Sequence, residues 1–192
     1  MLQYSIFILS TNRSDYGLLL PVIKRLNLCK DLSINIIRLV DRKEIQKSNK
    51  RDSEWNEEII YYTIKSGETL SSIYGMNEIN ISFIELYNKY KPELLIVLGD
   101  RYELLPIITS SIVLKLPIAH ISGGEITLGA IDDKIRNITS FASEIHLVAH
   151  SSAKSRLENL LGTYHKNSIH IVGEPGLEEI KNSKLRSLKD LS

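Results

Sequence analysis

The stretch Pro92–Asp133 constrains the fold of this chain more than any other part of the sequence. Leu94–Leu98 is a short unbroken apolar run, which is typical of a strand buried on both faces of a parallel sheet. A second apolar run, Pro117–Ile121, follows a predicted helix at Tyr102–Lys115. Strands that alternate with helices in this way indicate an α/β, Rossmann-like fold with a doubly wound parallel sheet.

The same alternation extends over the rest of the chain. The patterns predict further strands at Tyr4–Leu9, Leu32–Val40, Ile59–Ile64, Ile145–Ala149 and Ser168–Val172. They predict further helices at Leu18–Leu28 with Pro21 in the first turn, Thr69–Tyr90 with an interruption at Gly75, Ile131–Ala142, and from a Ser151 cap to about Leu161. The charged segment Asp41–Glu58 has no clear period and indicates a surface loop.

Composition excludes several classes of function. The chain has 192 residues, of which 24% are charged, and a formal net charge of +1. This balance disfavours a nucleic-acid or anionic-membrane partner, which would require a basic face. A single cysteine, Cys29, excludes a disulfide framework within the chain. No apolar run approaches the ~20 residues that span a bilayer, and the first residues lack the features of a signal peptide, so we expect a cytoplasmic protein.

Acidic residues follow two of the predicted strands, at the point where each strand ends. Asp100 and Arg101 come directly after Leu94–Leu98 and Gly99, and Glu125 follows Pro117–Ile121 within one short loop. The pair Asp132 and Asp133 begins the next predicted helix. Because ligands of open α/β sheets bind beyond the carboxyl ends of the strands, we expect these carboxylates to meet at one pocket and to act as acids and bases.

Other residues near this edge are candidates for substrate binding. Arg101 is one of them, with an ion pair to the aspartate before it as the alternative. Gly123 and Gly124 allow a ligand to approach the backbone, although an ordinary tight turn would need the same residues. His120 is either a site residue or a hydrogen-bonded core histidine. Arg13 follows the first strand and is a candidate for clamping a phosphate or a sugar hydroxyl, with an ordinary surface arginine as the alternative.

Two common cofactor signatures are missing. The first strand-to-helix turn reads STNRSDYG, without the G-x-G-x-x-G of dinucleotide-binding domains, which disfavours an NAD-dependent enzyme. His146 and His150 have the four-residue spacing of a helical metal pair. The apolar residues around them predict a strand, so we do not expect a metal site.

Three long motifs carry a family resemblance. TNRSDYGLLLPVI, VLGDRYELL and HISGGEITLGAIDDKIRN, together with VGEPGLEEI near the end, resemble the hydrolysing UDP-N-acetylglucosamine 2-epimerases of sialic-acid and legionaminic-acid biosynthesis. The resemblance covers nearly the whole chain apart from Asp41–Glu58. The related non-hydrolysing enzymes carry a glutamate two residues after the histidine of this motif, where this chain has Ser122.

The resemblance implies a GT-B architecture, in which two Rossmann-like domains enclose the active site. It also implies elimination of UDP followed by hydration of the resulting glycal, without a cofactor. By resemblance Asp100, Glu125 and Asp132 or Asp133 supply the acid–base chemistry, while Arg13 contacts the substrate. The loop VDRKEIQKSN departs from a histidine-containing Gly-Ser-His-Leu type of loop in many relatives, which implies altered substrate recognition.

The chain has the length of one domain of such an enzyme rather than two. We therefore expect a Rossmann-like N-terminal domain at residues 1–173 and, at residues 174–192, a connector toward an absent C-terminal domain. A second polypeptide that supplies the other half, or a homo-oligomer, is the expected partner. The alternatives are a non-catalytic remnant or interaction module of the same fold, and an unrelated glycosyltransferase, which does not need three clustered acids.

Overall fold

The computed structural model describes residues 3–40, 59–63, 73–162 and 167–177. Over these ranges the strands are β1 Tyr4–Ser10, β2 Leu32–Val40, β3 Ile59–Thr63, β4 Leu94–Leu98, β5 Ile118–Ile121, β6 Ile145–Val148 and β7 Ile169–Ile171. The main helices are α1 Arg13–Leu26, α2 Ile73–Tyr90, α3 Leu104–Leu114, α4 Ile131–Phe141 and α5 Ser151–Leu161.

All seven described strands belong to one parallel sheet, which confirms the predicted doubly wound fold. The strand order is β3-β2-β1-β4-β5-β6-β7, so the chain reverses its direction of winding between β1 and β4. Leu98 pairs with Ile121 and Ile121 pairs with Leu147. Because β4, β5 and β6 therefore end at the same height, the loops that follow them lie side by side at the edge where α/β ligands bind.

The core lies on both faces of the sheet. One cluster packs α2 and α3 against alternate strand residues, including Phe7, Leu95 and Val97. The other packs α1 against their neighbours in sequence, including Ile8 and Ile96. Burial on both faces explains why these strands are continuous apolar runs rather than alternating ones.

Two helix starts differ from the prediction because caps define them. Helix α1 begins at Arg13, five residues before the predicted Leu18, since the Asn12 side chain accepts a hydrogen bond from the Asp15 N–H at 2.9 Å. Pro21 consequently lies inside the helix and not in its first turn. Helix α5 is capped by His150 and not by Ser151.

The other predictions are close, or fall on residues outside the described ranges. Where both ends are described, the remaining elements differ from the predicted ones by at most two residues at either end. Helix α2 continues through Gly75, where an interruption was expected. The segment 41–58, the predicted strand end at Ile64, the predicted helix start at Thr69 and residues 178–192 of the predicted connector lie outside the described residues. No described helix is long and apolar enough to cross a membrane.

We expect Asn12→Ala to lower the free energy of unfolding by about 1 kcal/mol, because the first turn of α1 loses its capping acceptor. Asn12→Ser keeps an acceptor and should leave stability nearly unchanged. Chemical denaturation of both variants checks this. Equal stability of Asn12→Ala and the unsubstituted chain would show that the cap contributes nothing.

Candidate active site

A buried arginine joins two of the predicted carboxylates. Arg136 lies on α4, and only 7% of its surface is exposed. Its Nη2 donates to Asp100 Oδ2, and its Nη1 lies 3.8 Å from Asp133 Oδ1. Both nitrogens also lie 3.2 Å from Thr127 Oγ1, which accepts from them. One guanidinium therefore compensates a carboxylate after β4 and a carboxylate on α4, as a buried cation requires.

Asp133 also fastens the loop that leads into its own helix. Its Oδ1 accepts from the Thr127 N–H at 3.3 Å, and its position in the first turn of α4 is favoured by the helix dipole. The adjacent Asp132 is half-buried, and no hydrogen bond or ion pair joins its side chain to another described residue. The sequence alone did not distinguish these two aspartates as acid–base candidates, but their surroundings in the structure differ.

Glu125 is held by α5 rather than by the other acids. Its Oε1 lies 3.0 Å from Nε2 of His150, and its Oε2 lies 3.7 Å from Nη2 of Arg156. Arg156 also donates through Nε to the carbonyl of Gly124, the residue before the glutamate. The loop after β5 is therefore held against α5, the helix that follows the neighbouring strand β6.

Glu125 and Asp133 line the same open pocket, which has a volume of about 380 Å³. The other lining residues are Gly124, Ile126, Asn137, Arg156, Leu157, Asn159 and Leu160. Asp100 does not line this pocket, but Arg136 links it to Asp133. Carboxylates thus reach this pocket from the β5 loop and from α4.

The two glycines have packing reasons that need no ligand. A Cβ on Gly123 would lie 3.0 Å from the His120 ring and from Ser140 Oγ. Gly124 has φ +75°, and a Cβ there would collide with the carbonyl oxygen of Ala153 at the start of α5. The absence of both side chains lets the loop after β5 sit directly on its neighbours.

His120 lies in the core of the structure, in the surroundings of the second of the two roles considered for it. It is fully buried, with Nε2 2.7 Å from the Gly99 carbonyl and Nδ1 3.0 Å from Ser140 Oγ. Since a carbonyl only accepts, Nε2 carries the proton and Nδ1 accepts from the serine. Burial lowers the pKa of His120 to about 4, so the ring stays neutral and holds the residue before Asp100 in place.

The predicted arginines lie at the edge between β1 and β4 or close to it. Arg13 begins α1, and its side chain is outside the described part of the structure. Arg101 pairs with Glu103 at 2.9 Å, and its hydrogen bond to this carboxylate raises the pKa of Arg101.

Asp15, which accepts from Thr11 Oγ1, was not singled out in the sequence. Burial raises the pKa of Asp15, while the Thr11 hydrogen bond and the Arg101 charge oppose this.

Comparison with known proteins identifies the family. The family model described as UDP-N-acetylglucosamine 2-epimerase matches residues 51–192 of the chain. The chain belongs to this family.

Several relatives in the epimerase family match essentially the whole chain. A GDP/UDP-N,N'-diacetylbacillosamine 2-epimerase (hydrolyzing) of Campylobacter jejuni is 32% identical over 200 aligned residues, which cover 100% of this chain and 50% of the relative. A UDP-N,N'-diacetylbacillosamine 2-epimerase (hydrolyzing) of Legionella pneumophila is 30% identical, with 96% and 49% covered. The chain thus spans about half the length of the curated relatives it matches.

Solved structures of epimerase-family proteins show the same fold. The UDP-GlcNAc 2-epimerase of Neisseria meningitidis bound to UDP-GlcNAc has a TM-score of 0.77 and 18% identity, over 93% of this chain and 51% of that one. An epimerase structure from Listeria monocytogenes has a TM-score of 0.81 and 15% identity, over 97% and 50%. The predicted fold, one Rossmann-like half of a GT-B architecture, is therefore confirmed.

Three residues of the candidate site escaped the sequence reasoning. Arg136 stands three positions after Asp133, a spacing that places both on one helix face, and this was the available signal. His150 was considered only as half of a metal pair, and Arg156 was not considered. Their contacts with Glu125 depend on β5 and β6 being neighbours, which the sequence alone did not establish.

We expect Arg136→Met to lower the free energy of unfolding by about 3 kcal/mol or more, because it leaves Asp100 without a buried counter-charge. Asp133→Asn should lose less, since its pair with Arg136 is longer and more exposed. Urea denaturation monitored by circular dichroism gives both values. An Arg136→Met chain as stable as the parent would contradict the role of this ion pair.

We also expect the His120 ring to titrate near pH 4 and not near 6.5. The unfolded chain then takes up this proton first as the pH falls. The stabilising contribution of the neutral ring is complete above pH 6.5 and is lost progressively down to about 4, by about 3 kcal/mol in all. The ring C–H resonance of His120 in an NMR pH titration reports the midpoint, and a value near 6.5 would contradict burial of a neutral ring.

Proposed function

We propose that this chain supplies the acid–base half of the active site of a hydrolysing UDP-amino-sugar 2-epimerase. The observation that carries the proposal is the placement of Glu125 and Asp133 on one pocket, with Asp100 bound to the same arginine as Asp133. The family membership and the names of the relatives point to the same chemistry.

The reaction has two steps that need acids and bases on a sugar ring. First, a base removes the proton from C2, the bond between C1 and the phosphate oxygen breaks, UDP leaves, and a C1–C2 double bond forms. Water then adds its oxygen to C1 while a proton returns to C2 on the other face. The product is free sugar with inverted configuration at C2, together with UDP.

The carboxylates have surroundings suited to this work. Glu125 and Asp133 approach the pocket from different elements, so they can act on different sides of a bound sugar. Asp100 is one of the candidate acid–base groups as well, with its orientation fixed by Arg136. Asp132, which has no partner of this kind within the described ranges, is the remaining candidate. We assign Arg13 and Arg101 to substrate contact, and no cofactor enters the proposal.

The substrate we propose is UDP-N-acetylglucosamine or a 2,4-diacetamido relative. Relatives are named for UDP-N-acetylglucosamine and for UDP-N,N'-diacetylbacillosamine, and one is a polysialic acid biosynthesis protein of Escherichia coli. The released N-acetylmannosamine-type sugar would then serve sialic-acid or legionaminic-acid synthesis. Both substrates share the C2 acetamido group and the anomeric diphosphate on which the elimination depends.

The chain spans about half the length of the relatives, and we propose that a C-terminal half of the kind they carry completes the site. In the proposed architecture a C-terminal-half polypeptide binds the uridine and the diphosphate, and this chain supplies proton transfer. Binding energy from the remote nucleotide holds the reacting carbon against the carboxylates, so the lone chain should turn over poorly. The second candidate function is a non-catalytic interaction module of this fold, in which the ion pairs of Arg136 with Asp100 and Asp133 are purely structural.

We expect the isolated chain to release little UDP from UDP-N-acetylglucosamine and a C-terminal-half polypeptide of a related epimerase to restore release. In the complemented pair, Asp100→Asn and Glu125→Gln should each reduce the rate by about 100-fold or more, as loss of a general acid or base does. A coupled assay for UDP measures both. The epimerase proposal fails if every combination is inactive, and the interaction module is then favoured. The need for a second half fails if the lone chain turns over rapidly.

A further inference from the structure

The start of helix α5 holds the loop that carries Glu125 by several contacts. Gly124 packs on the carbonyl of Ala153, and the Gly124 carbonyl accepts from Arg156 Nε. The Glu125 carboxylate has a cationic or potentially cationic group near each oxygen, Arg156 on one side and His150 on the other. These contacts set both the position of the loop and the direction of the carboxylate.

The protonation of His150 follows from its second role as the cap of α5. Its Nδ1 accepts the Ala153 N–H at 3.2 Å, and Ser152 Oγ lies 2.7 Å from the same nitrogen. Because a backbone N–H can only donate, Nδ1 is unprotonated in this arrangement. The proton of the neutral ring is therefore on Nε2, the nitrogen that faces Glu125.

The geometry leaves Glu125 ready to accept that proton in a hydrogen bond. Nε2 lies 3.0 Å from Oε1, but no described residue gives Oε1 an aligned hydrogen bond, although this oxygen is buried. Contacts between catalytic groups are often poorly aligned without substrate and tighten when it binds.

We propose that His150 is a positioning residue that orients the Glu125 carboxylate for proton transfer, acting through Nε2 while Nδ1 caps the helix. This proposal rests on the proposed function, in which Glu125 is an acid–base group. Arg156 supports the second oxygen and completes the fixation. The capping role alone does not account for a histidine, because Ser, Thr, Asn or Asp caps a helix as well and would not reach Glu125.

The first experiment uses the 192-residue chain alone and needs no activity. Two-dimensional NMR of the ¹⁵N-labelled histidine ring should show the tautomer with a protonated Nε2 at neutral pH. Glu125→Gln should shift the Nε2 resonance and leave Nδ1 nearly unchanged. A tautomer with the proton on Nδ1, or an Nε2 resonance indifferent to Glu125→Gln, would overturn the proposal.

The second experiment separates positioning from capping in the complemented, active pair. His150→Asn keeps a capping oxygen and loses Nε2, whereas His150→Ala loses both. We expect both variants to lower kcat by about 10- to 100-fold with little change in KM, as misplacement of a catalytic group does. Only His150→Ala should also lower the melting temperature. His170→Asn, the same change at an exposed histidine of β7, is the matched control and should behave like the parent.

The outcomes distinguish the two proposals. If the unsubstituted pair is inactive, the proposed function fails and takes the catalytic role of His150 with it, while the NMR result still reports the contact. If the pair is active and His150→Asn restores both stability and kcat to parental values, the histidine is only a cap. The positioning proposal is then wrong, and the proposed function stands.

Discussion

The candidate site depends on the ion pairs of one buried group, the guanidinium of Arg136. A cation with 7% of its surface exposed must be compensated within the protein, since desolvating an unpaired charge costs far more than folding can supply. Asp100 and Asp133 provide this compensation, and Thr127 Oγ1 accepts hydrogen bonds from both Nη atoms. Three separate pieces of chain, the ends of β4 and of the β5 loop and the start of α4, are thereby fixed to one point. Because the buried Arg136 requires both counter-charges, Asp100 and Asp133 keep their relative positions without a ligand.

The sheet decides where that point lies. β4, β5 and β6 end in register, so the residues that follow them become neighbours although they are distant in sequence. The core also fixes the position of Asp100. The Nε2 of the buried His120 donates to the carbonyl of Gly99, the residue before Asp100. Gly124 allows the loop after β5 to touch the backbone of α5, where any side chain would push it away. The grouping of these carboxylates at one edge of the sheet thus depends on strand register and close packing as much as on the acidic residues themselves.

The sequence allowed prediction of the parts that depend on local patterns. The strand Leu94–Leu98 was predicted with its observed bounds. An apolar run that is buried on both faces can be recognised without knowing which strands lie beside it. The start of α1 was placed too late, since the polar residues before Leu18 resemble a loop, and only the Asn12 side chain shows that they are helical. The carboxylates could be predicted from strand ends. The pairing of Glu125 with His150 could not, because it requires knowledge of which strands are adjacent. Asp132 and Asp133 also could not be distinguished, since their difference is one of direction on the helix.

In the proposed function the carboxylates of this chain carry out the proton transfers, and a C-terminal half binds the nucleotide. The most direct test is the isotope content of the sugar released in D₂O by this chain together with its complementing half. Removal of the C2 proton followed by hydration predicts a manno-configured product that carries deuterium at C2. Released sugar without deuterium, as direct hydrolysis of the C1–oxygen bond would give, would contradict the account.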